Sequence, residues 1–159
     1  YRELIDYGNE TEAKRYQLYA IRLDTSSSIR DVSVPPLGAP ELDMGVNPRL
    51  VFIVRNAIDS AWHNWQLPRK WKDRAREWCK SVKIVASGGF NTSKILRFEK
   101  LDVPVDIFAV GSSLFANDGP KVTDFTSDIT QVKINGEWKK MSKIGRNRGQ
   151  NPELEPVHE

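Results

Sequence analysis

The stretch KIVASGGFNTSKILRFEKLDVPVDIFAVGSSL (residues 83–114) runs twice from an apolar segment straight into small residues, Ser87-Gly88-Gly89 and then Gly111-Ser112-Ser113. VKIVAS (82–87) is rich in β-branched residues and reads as a strand. NTSKILRFEKL (91–101) opens on the cap-competent Asn91, Thr92 and Ser93 and predicts a helix with Ile95, Leu96 and Phe98 facing inward. VDIFAVG (105–111), after the helix-stopping Pro104, predicts a second buried strand. Strand, helix and strand within about thirty residues make a βαβ unit, whose crossover sets the two strands parallel. Loops that follow parallel strands open at one end of the sheet, and ligands collect there. Glycines permit close backbone approach and positive φ, serines add hydroxyl donors, and the helix starting near Asn91 turns its positive end the same way. Two such loops side by side suit an anion, and a phosphate fits.

Upstream, ELIDY (3–7) and LYAIRLD (18–24) are apolar runs of strand length joined by the polar GNETEAKRYQ (8–17). Both carry an aspartate at or near their ends. Asp6, Arg22 and Asp24 are therefore expected on the face of the two small-residue loops. Carboxylates there can bond sugar hydroxyls, hold Mg²⁺ through phosphate oxygens or stabilise developing positive charge. An arginine can clamp an anion or stack on a flat ring. Residues 25–44 are rich in Ser, Pro and Gly and read as a long loop. NPRLVFIVRNAIDSAW (47–62) predicts the clearest helix, with Asn47 as N-cap and Pro48 at its first position. A shorter helix is predicted over 69–80, with Trp71, Ala75, Trp78 and Cys79 on one side. After Asn117 the period changes, and KVTDFTSDITQVKINGEWKKMSKIG (121–145) predicts two or three antiparallel strands around the turn pair Asn135-Gly136.

The 159 residues can bury a core without staples, and the single cysteine, Cys79, excludes an intramolecular disulfide and a four-cysteine zinc site. Cys79 reads as a small buried hydrophobe. His63, among tryptophans, and His158, in the tail, read as packing or solvent-facing rather than as a general base. Net charge is +3, concentrated between Lys133 and Arg148, where six cations face one anion. That stretch reads as a solvated strand edge, with nucleic-acid binding as its alternative. No run reaches the about 18 apolar residues of a membrane span, and the opening residues do not resemble a signal peptide, so a cytoplasmic location is expected. The first residue is not Met, and ELIDY reads as the middle of a folded element, so the chain is expected to be a piece of something longer.

YAIRLDTSSS, MGVNPRLV, the block over 83–114 and DFTSDITQVKINGEWKKMSKIGR resemble, in this order and spacing, the C-terminal half of nicotinate phosphoribosyltransferases. The resemblance implies a type II phosphoribosyltransferase. Residues 1–117 would be the C-terminal part of an irregular, TIM-like α/β barrel carrying the phosphate-binding loops. Residues 118–148 would be a β-rich segment whose antiparallel hairpin belongs to a smaller β-rich domain, and 149–159 an acidic tail. It implies transfer of the 5-phosphoribosyl group from phosphoribosyl diphosphate to nicotinate, giving nicotinate mononucleotide, with Mg²⁺ and with ATP as co-substrate. Ser87, Gly88, Gly89, Gly111 and Ser112 would hold the 5′-phosphate, Asp24 the ribose hydroxyls, Arg22 would face the pyridine pocket, and Asp6 would line the site near ribose and diphosphate. No protein-held metal is implied, and a homodimer is. The family's phosphorylatable histidine lies upstream of these residues, so the chain is expected to need a missing N-terminal half or a partner chain and to show no turnover alone. Thr25-Ser26-Ser27-Ser28 departs from the usual Ser-Gly after the aspartate, and the segment around WHNWQLPRKW is longer than expected. A relative acting on nicotinamide or quinolinate is the alternative within the fold, and a non-catalytic anion- or nucleic-acid-binding module the alternative outside it.

Overall fold

The computed structural model of the chain describes residues 1–115 and 128–143. The chain divides into two compact units, Tyr1–Ala116 and Asn117–Glu159.

In the first unit the order is α1 (Arg2–Asp6), α2 (Glu10–Lys14), β1 (Ala20–Leu23), α3 (Pro40–Asp43), α4 (Pro48–Ser60), α5 (Lys72–Ser81), β2 (Lys83–Ala86), α6 (Thr92–Lys100), β3 (Ile107–Phe108) and α7 (Ser112–Phe115). The sequence cues for α4 and α6 act through their caps. Asn47 accepts the Leu50 N–H at 3.0 Å, and Asn91 accepts the Lys94 N–H at 2.9 Å. The strands pair in parallel in the order β1-β2-β3, with Ile21 beside Ile84, Leu23 beside Ala86 and Ala86 beside Phe108. Those residues share one face of the pleat. Val51 of α4 and Phe98 of α6 close over that face together with Phe90, Val46 and Val103. Phe98 is the largest fully buried side chain and meets Phe90 and Phe108 edge-on, at 5.0 and 6.1 Å. On the opposite face Arg22, Ile107 and Ala109 are exposed, so β3 is not the fully buried strand that VDIFAVG predicts.

The expected portion of an α/β barrel is overturned. Among the described residues the three-stranded sheet is open, with β1 and β3 as its edges, and the second sheet is a separate two-stranded one. Barrel closure requires every strand to have two neighbours, and ELIDY does not supply an additional strand because it is helical. Its helix is ended by Gly8, at φ +77°, whose N–H reaches the Ile5 carbonyl at 2.8 Å while the Asn9 N–H reaches Leu4 at 2.8 Å. A left-handed glycine just past the last turn is a helix stop, and here it outweighs the strand-length apolar run.

The long loop over 25–44 is pinned at its far end. Asp43 is buried and accepts the Leu37 and Gly38 amides at 2.8 Å each and Arg49 Nη1 at 2.6 Å. Burial alone raises the Asp43 carboxyl, but the bonds from Leu37, Gly38 and Arg49 outweigh it and hold the group below its ordinary value. Asp31 is held low as well, chiefly by the Ser33 hydroxyl at 2.7 Å and the Ser33 amide at 2.9 Å.

In the second unit β4 (Gln131–Ile134) and β5 (Glu137–Lys140) form an antiparallel hairpin. Its turn residues, Asn135 at φ +52° and Gly136 at φ +86°, have the paired positive φ of a type I′ turn, as the Asn-Gly pair predicts. Arg146, Arg148, His158 and the acidic tail over 149–159 lie outside the described residues. No helix among the described residues is long and apolar enough to cross a membrane.

Both depressed carboxylates belong to the 25–44 loop, and both bind protons more readily when the chain is unfolded. Their stabilisation is thus fully present above the ordinary aspartate value of 3.8 and is lost as pH falls through the lower folded values. Urea midpoints measured between about pH 5 and pH 2 should fall with acidity, and Asp43→Asn should flatten that dependence.

Candidate functional site

Parallel pairing carries the ends of β1, β2 and β3 to one end of the sheet, and two side chains tie the loops there. Ser87 does the first. Its N–H donates to the Leu23 carbonyl at 2.9 Å, and its hydroxyl hydrogen is shared between that carbonyl, at 2.8 Å, and Asp24 Oδ1, at 2.7 Å. Ser113 does the second, its Oγ donating to the Phe90 carbonyl at 3.1 Å and so fastening the loop after β3 to the loop after β2. The two small-residue loops therefore open together.

Within this junction the donors differ. Ser87 has both of its donors engaged inside the chain. The N–H groups of Gly88, Gly89, Gly111 and Ser112 find no acceptor among the described residues. Gly88 and Gly89 sit at φ +91° and +64°, conformations that L side chains rarely adopt. Gly88 also passes close to β1, since a Cβ on it would lie 3.5 Å from the Thr25 carbonyl and 3.8 Å from Asp24 Oδ1.

Asp24 is held through both oxygens, Oδ1 by Ser87 and Oδ2 by Arg22 Nη2 at 3.2 Å. A carboxylate offers about four acceptor positions, so two remain for a ligand's hydroxyls. Arg22 and Asp24 are both exposed, which puts their ion pair in the class contributing about 0–1 kcal/mol. It is readily exchanged for a ligand. Asp6 is not at a strand end. It closes α1 and pairs with Lys70 Nζ at 3.0 Å, and no contact joins it to Asp24, Ser87 or Gly111. His63 is exposed, stacked on Trp62 with ring centroids 3.8 Å apart.

One residue of the site escapes the sequence reading. Lys94 reaches back from the first turn of α6 to donate to the Gly88 carbonyl at 3.0 Å, with its ammonium 4.2 Å from the centre of the Phe90 ring. Burial, and then the neighbouring Arg97, hold its amine below the usual lysine value. A cation in a helix's first turn opposes the macrodipole. A lysine three residues after the N-cap of a helix that follows Gly-Gly is the signal that would have found it. Lys94 and Arg97 also line a cleft of about 750 Å³, open mouth included, whose other walls include Ser27, Met44, Val46 and Asn47. Among the described residues no group of three or more His, Cys, Asp or Glu is placed to hold a metal ion.

The two glycine positions should respond differently to an added methyl group. Gly88→Ala forces an L residue into φ +91° and should lower unfolding free energy by about 1–2 kcal/mol. Gly111→Ala, where a Cβ meets nothing within 4 Å and φ is not positive, should leave stability within about 0.5 kcal/mol in the same denaturation measurement.

Comparison of the chain with protein-family models, with curated proteins and with solved structures found no match.

Proposed function

We propose that the chain holds the phosphoribosyl donor of a reaction that transfers the 5-phosphoribosyl group from phosphoribosyl diphosphate to nicotinate. The supporting observation is the junction of three strand ends, where Ser87 and Ser113 fasten adjoining loops and leave the Gly88, Gly89, Gly111 and Ser112 amides without acceptors among the described residues. Main-chain N–H groups in a fixed frame suit the 5′-phosphate. Asp24, steadied by Ser87, takes ribose hydroxyls, and Arg22 faces the pyridine carboxylate. In the transfer the bond from ribose C1 to the diphosphate oxygen breaks with its electron pair leaving on diphosphate, and the pyridine nitrogen lone pair forms the new C1–N bond. Positive charge grows on the ring carbon between those events, so fixed carboxylate and amide dipoles do more here than a nucleophile would.

Among the described residues Asp24 is the carboxylate at this junction, which fits an Mg²⁺ ion carried by the donor's diphosphate rather than one caged by protein. Mg²⁺ supplies charge neutralisation to the leaving diphosphate when bound. ATP coupling and the remaining substrate contacts fall to residues outside this chain, in an N-terminal half or a partner chain, and a homodimer is the expected assembly.

The test uses ribose 5-phosphate and inorganic phosphate, titrated into the chain by calorimetry and by amide-resolved NMR. Ribose 5-phosphate should bind saturably and move the Gly88, Gly89, Gly111 and Ser112 amide signals, and Asp24→Asn should weaken it about tenfold while leaving inorganic phosphate unaffected. Nicotinate mononucleotide should not accumulate when nicotinate, phosphoribosyl diphosphate, ATP and Mg²⁺ are added to this chain alone. Absence of binding, or binding that bypasses those four amides, sinks the reading.

A second reading rests on the hairpin. The register sets Lys133 opposite Trp138 and Gln131 opposite Lys140, all exposed, so cations flank an aromatic ring on one face. Such a strip suits stacking and backbone contact with single-stranded nucleic acid. It requires oligonucleotide binding that weakens steeply with salt and is lost in Trp138→Ala, whereas the phosphoribosyl reading leaves the unsubstituted chain and Trp138→Ala equally inert toward nucleic acid.

A further inference from the structure

The cleft that Lys94 and Arg97 line lies between α6 and the segment joining α3 to α4. It has room of about 380 Å³, or about 750 Å³ with its open mouth included, within the range of small-molecule sites. One wall is α6, which presents Lys94, Arg97 and Phe98, and Pro40, Met44, Val46 and Pro48 supply the other. That second wall is fixed. Arg49 and two amides clamp Asp43, and Gly45 donates to the Ile29 carbonyl at 2.8 Å. Gly45 also runs so near the start of the long loop that a Cβ on it would lie 3.2 Å from the Ser27 Cα. The cleft is thus built into the fold before any ligand arrives.

Its lining sets the chemistry of an occupant. Lys94 and Arg97 stand three residues apart on α6 and so share a face, where their like charges repel. Neither forms an ion pair among the described residues. Lys94 spends one of its three ammonium hydrogens on the Gly88 carbonyl, and Arg97 is exposed. An anion between them would relieve the repulsion. Val46 and Phe98 are buried and form an apolar floor, with Met44 beside them. Asn47, the buried polar side chain of the lining, is already engaged, since its oxygen accepts the Leu50 N–H and its amide turns to the Met44 and Gly45 carbonyls. Glu41, exposed on α3, is the single anion of the lining. Two cations against one carboxylate leave the cleft matched to one negative charge.

We propose that this cleft binds a short-chain aliphatic monocarboxylate. Its chain lies against Met44, Val46 and Phe98, and its carboxylate meets Arg97 and the free hydrogens of Lys94. A second negative charge on the ligand would be opposed by Glu41. The site uses none of the Gly88, Gly89, Gly111 and Ser112 amides, so it stands or falls independently of the phosphoribosyl reading.

The probe is hexanoate, titrated into the full 159-residue chain by calorimetry and by NMR of methyl and amide signals. Binding should saturate in the millimolar range, move the Met44 and Val46 methyl signals and leave the Gly111 and Ser112 amides in place. Arg97→Gln should weaken it about tenfold. Glu41→Gln, which removes the opposing carboxylate, should tighten it several-fold. Hexanamide, of the same shape without the charge, and acetate, with the charge but no chain, should each bind less tightly than hexanoate. Failure to saturate, equal binding of hexanamide, undiminished binding by Arg97→Gln, or shifts confined to the strand-end amides overturns the proposal. Arg97 and Glu41 are both exposed, so either variant can be read in a folded chain.

Discussion

One hydroxyl and one amide, both of Ser87, set the geometry on which the strand-end junction depends. Backbone pairing of β1 with β2 would by itself end at Leu23 and Ala86, leaving the next residues of each strand free to diverge. Ser87 extends the ladder by one N–H bond and adds a hydroxyl whose hydrogen lies between the Leu23 carbonyl and the Asp24 carboxylate. Ser87 is buried, so water competes poorly for these bonds and they hold their direction. Alanine at that position would keep the amide bond and lose the orientation of Asp24. Threonine would keep the hydroxyl but add a methyl group at a place where Gly88 already passes close to Thr25.

The fold is legible in the sequence wherever one residue type has one dominant local use. Asn47-Pro48 and Asn91 mark helix starts because an amide oxygen at the cap satisfies an otherwise unpaired N–H, and both caps are made. Asn135-Gly136 marks a hairpin because few other residues accept two successive positive φ angles. Apolar runs are less informative. ELIDY and AIRL are both short runs built around Leu and Ile, yet the first is a helix and the second a strand. What differs is context: Gly8 stops the first as a helix, while AIRL has Lys83–Ala86 to pair with at long range. Barrel closure is beyond the reach of local cues altogether, since it depends on how many strands find neighbours, and among the described residues β1 and β3 each find only one.

The candidate site is legible in kind and less so in role. Glycine pairs after apolar strands point to loops with accessible amides, and Gly88 and Gly89 bear the positive φ that this use requires. Ser87 was expected as a ligand donor because a hydroxyl beside glycines reads that way, but its neighbours across the sheet engage it first. Lys94 was missed for the complementary reason. Its own segment says only that it lies near a helix start, and its reach back to Gly88 follows from the turn that the two glycines impose.

Those restraints bear on how the loop after β2 can act. Ser87 fixes its first residue to β1, Lys94 holds the Gly88 carbonyl from the α6 side, and Ser113 holds the Phe90 carbonyl from the β3 side. Carbonyl groups are thus tied on either side of Gly89, while the Gly88 and Gly89 N–H groups stay unengaged among the described residues. A loop restrained through its acceptors and open at its donors needs little rearrangement to meet an anion, and donors aligned in advance stabilise charge more strongly than donors that must first turn. Desolvation of Lys94 adds to the same bias, because an arriving anion stabilises the charged amine that burial disfavours. An anion bound there would strengthen the contact between Lys94 and the loop, and the loop would in turn keep its amides turned toward it.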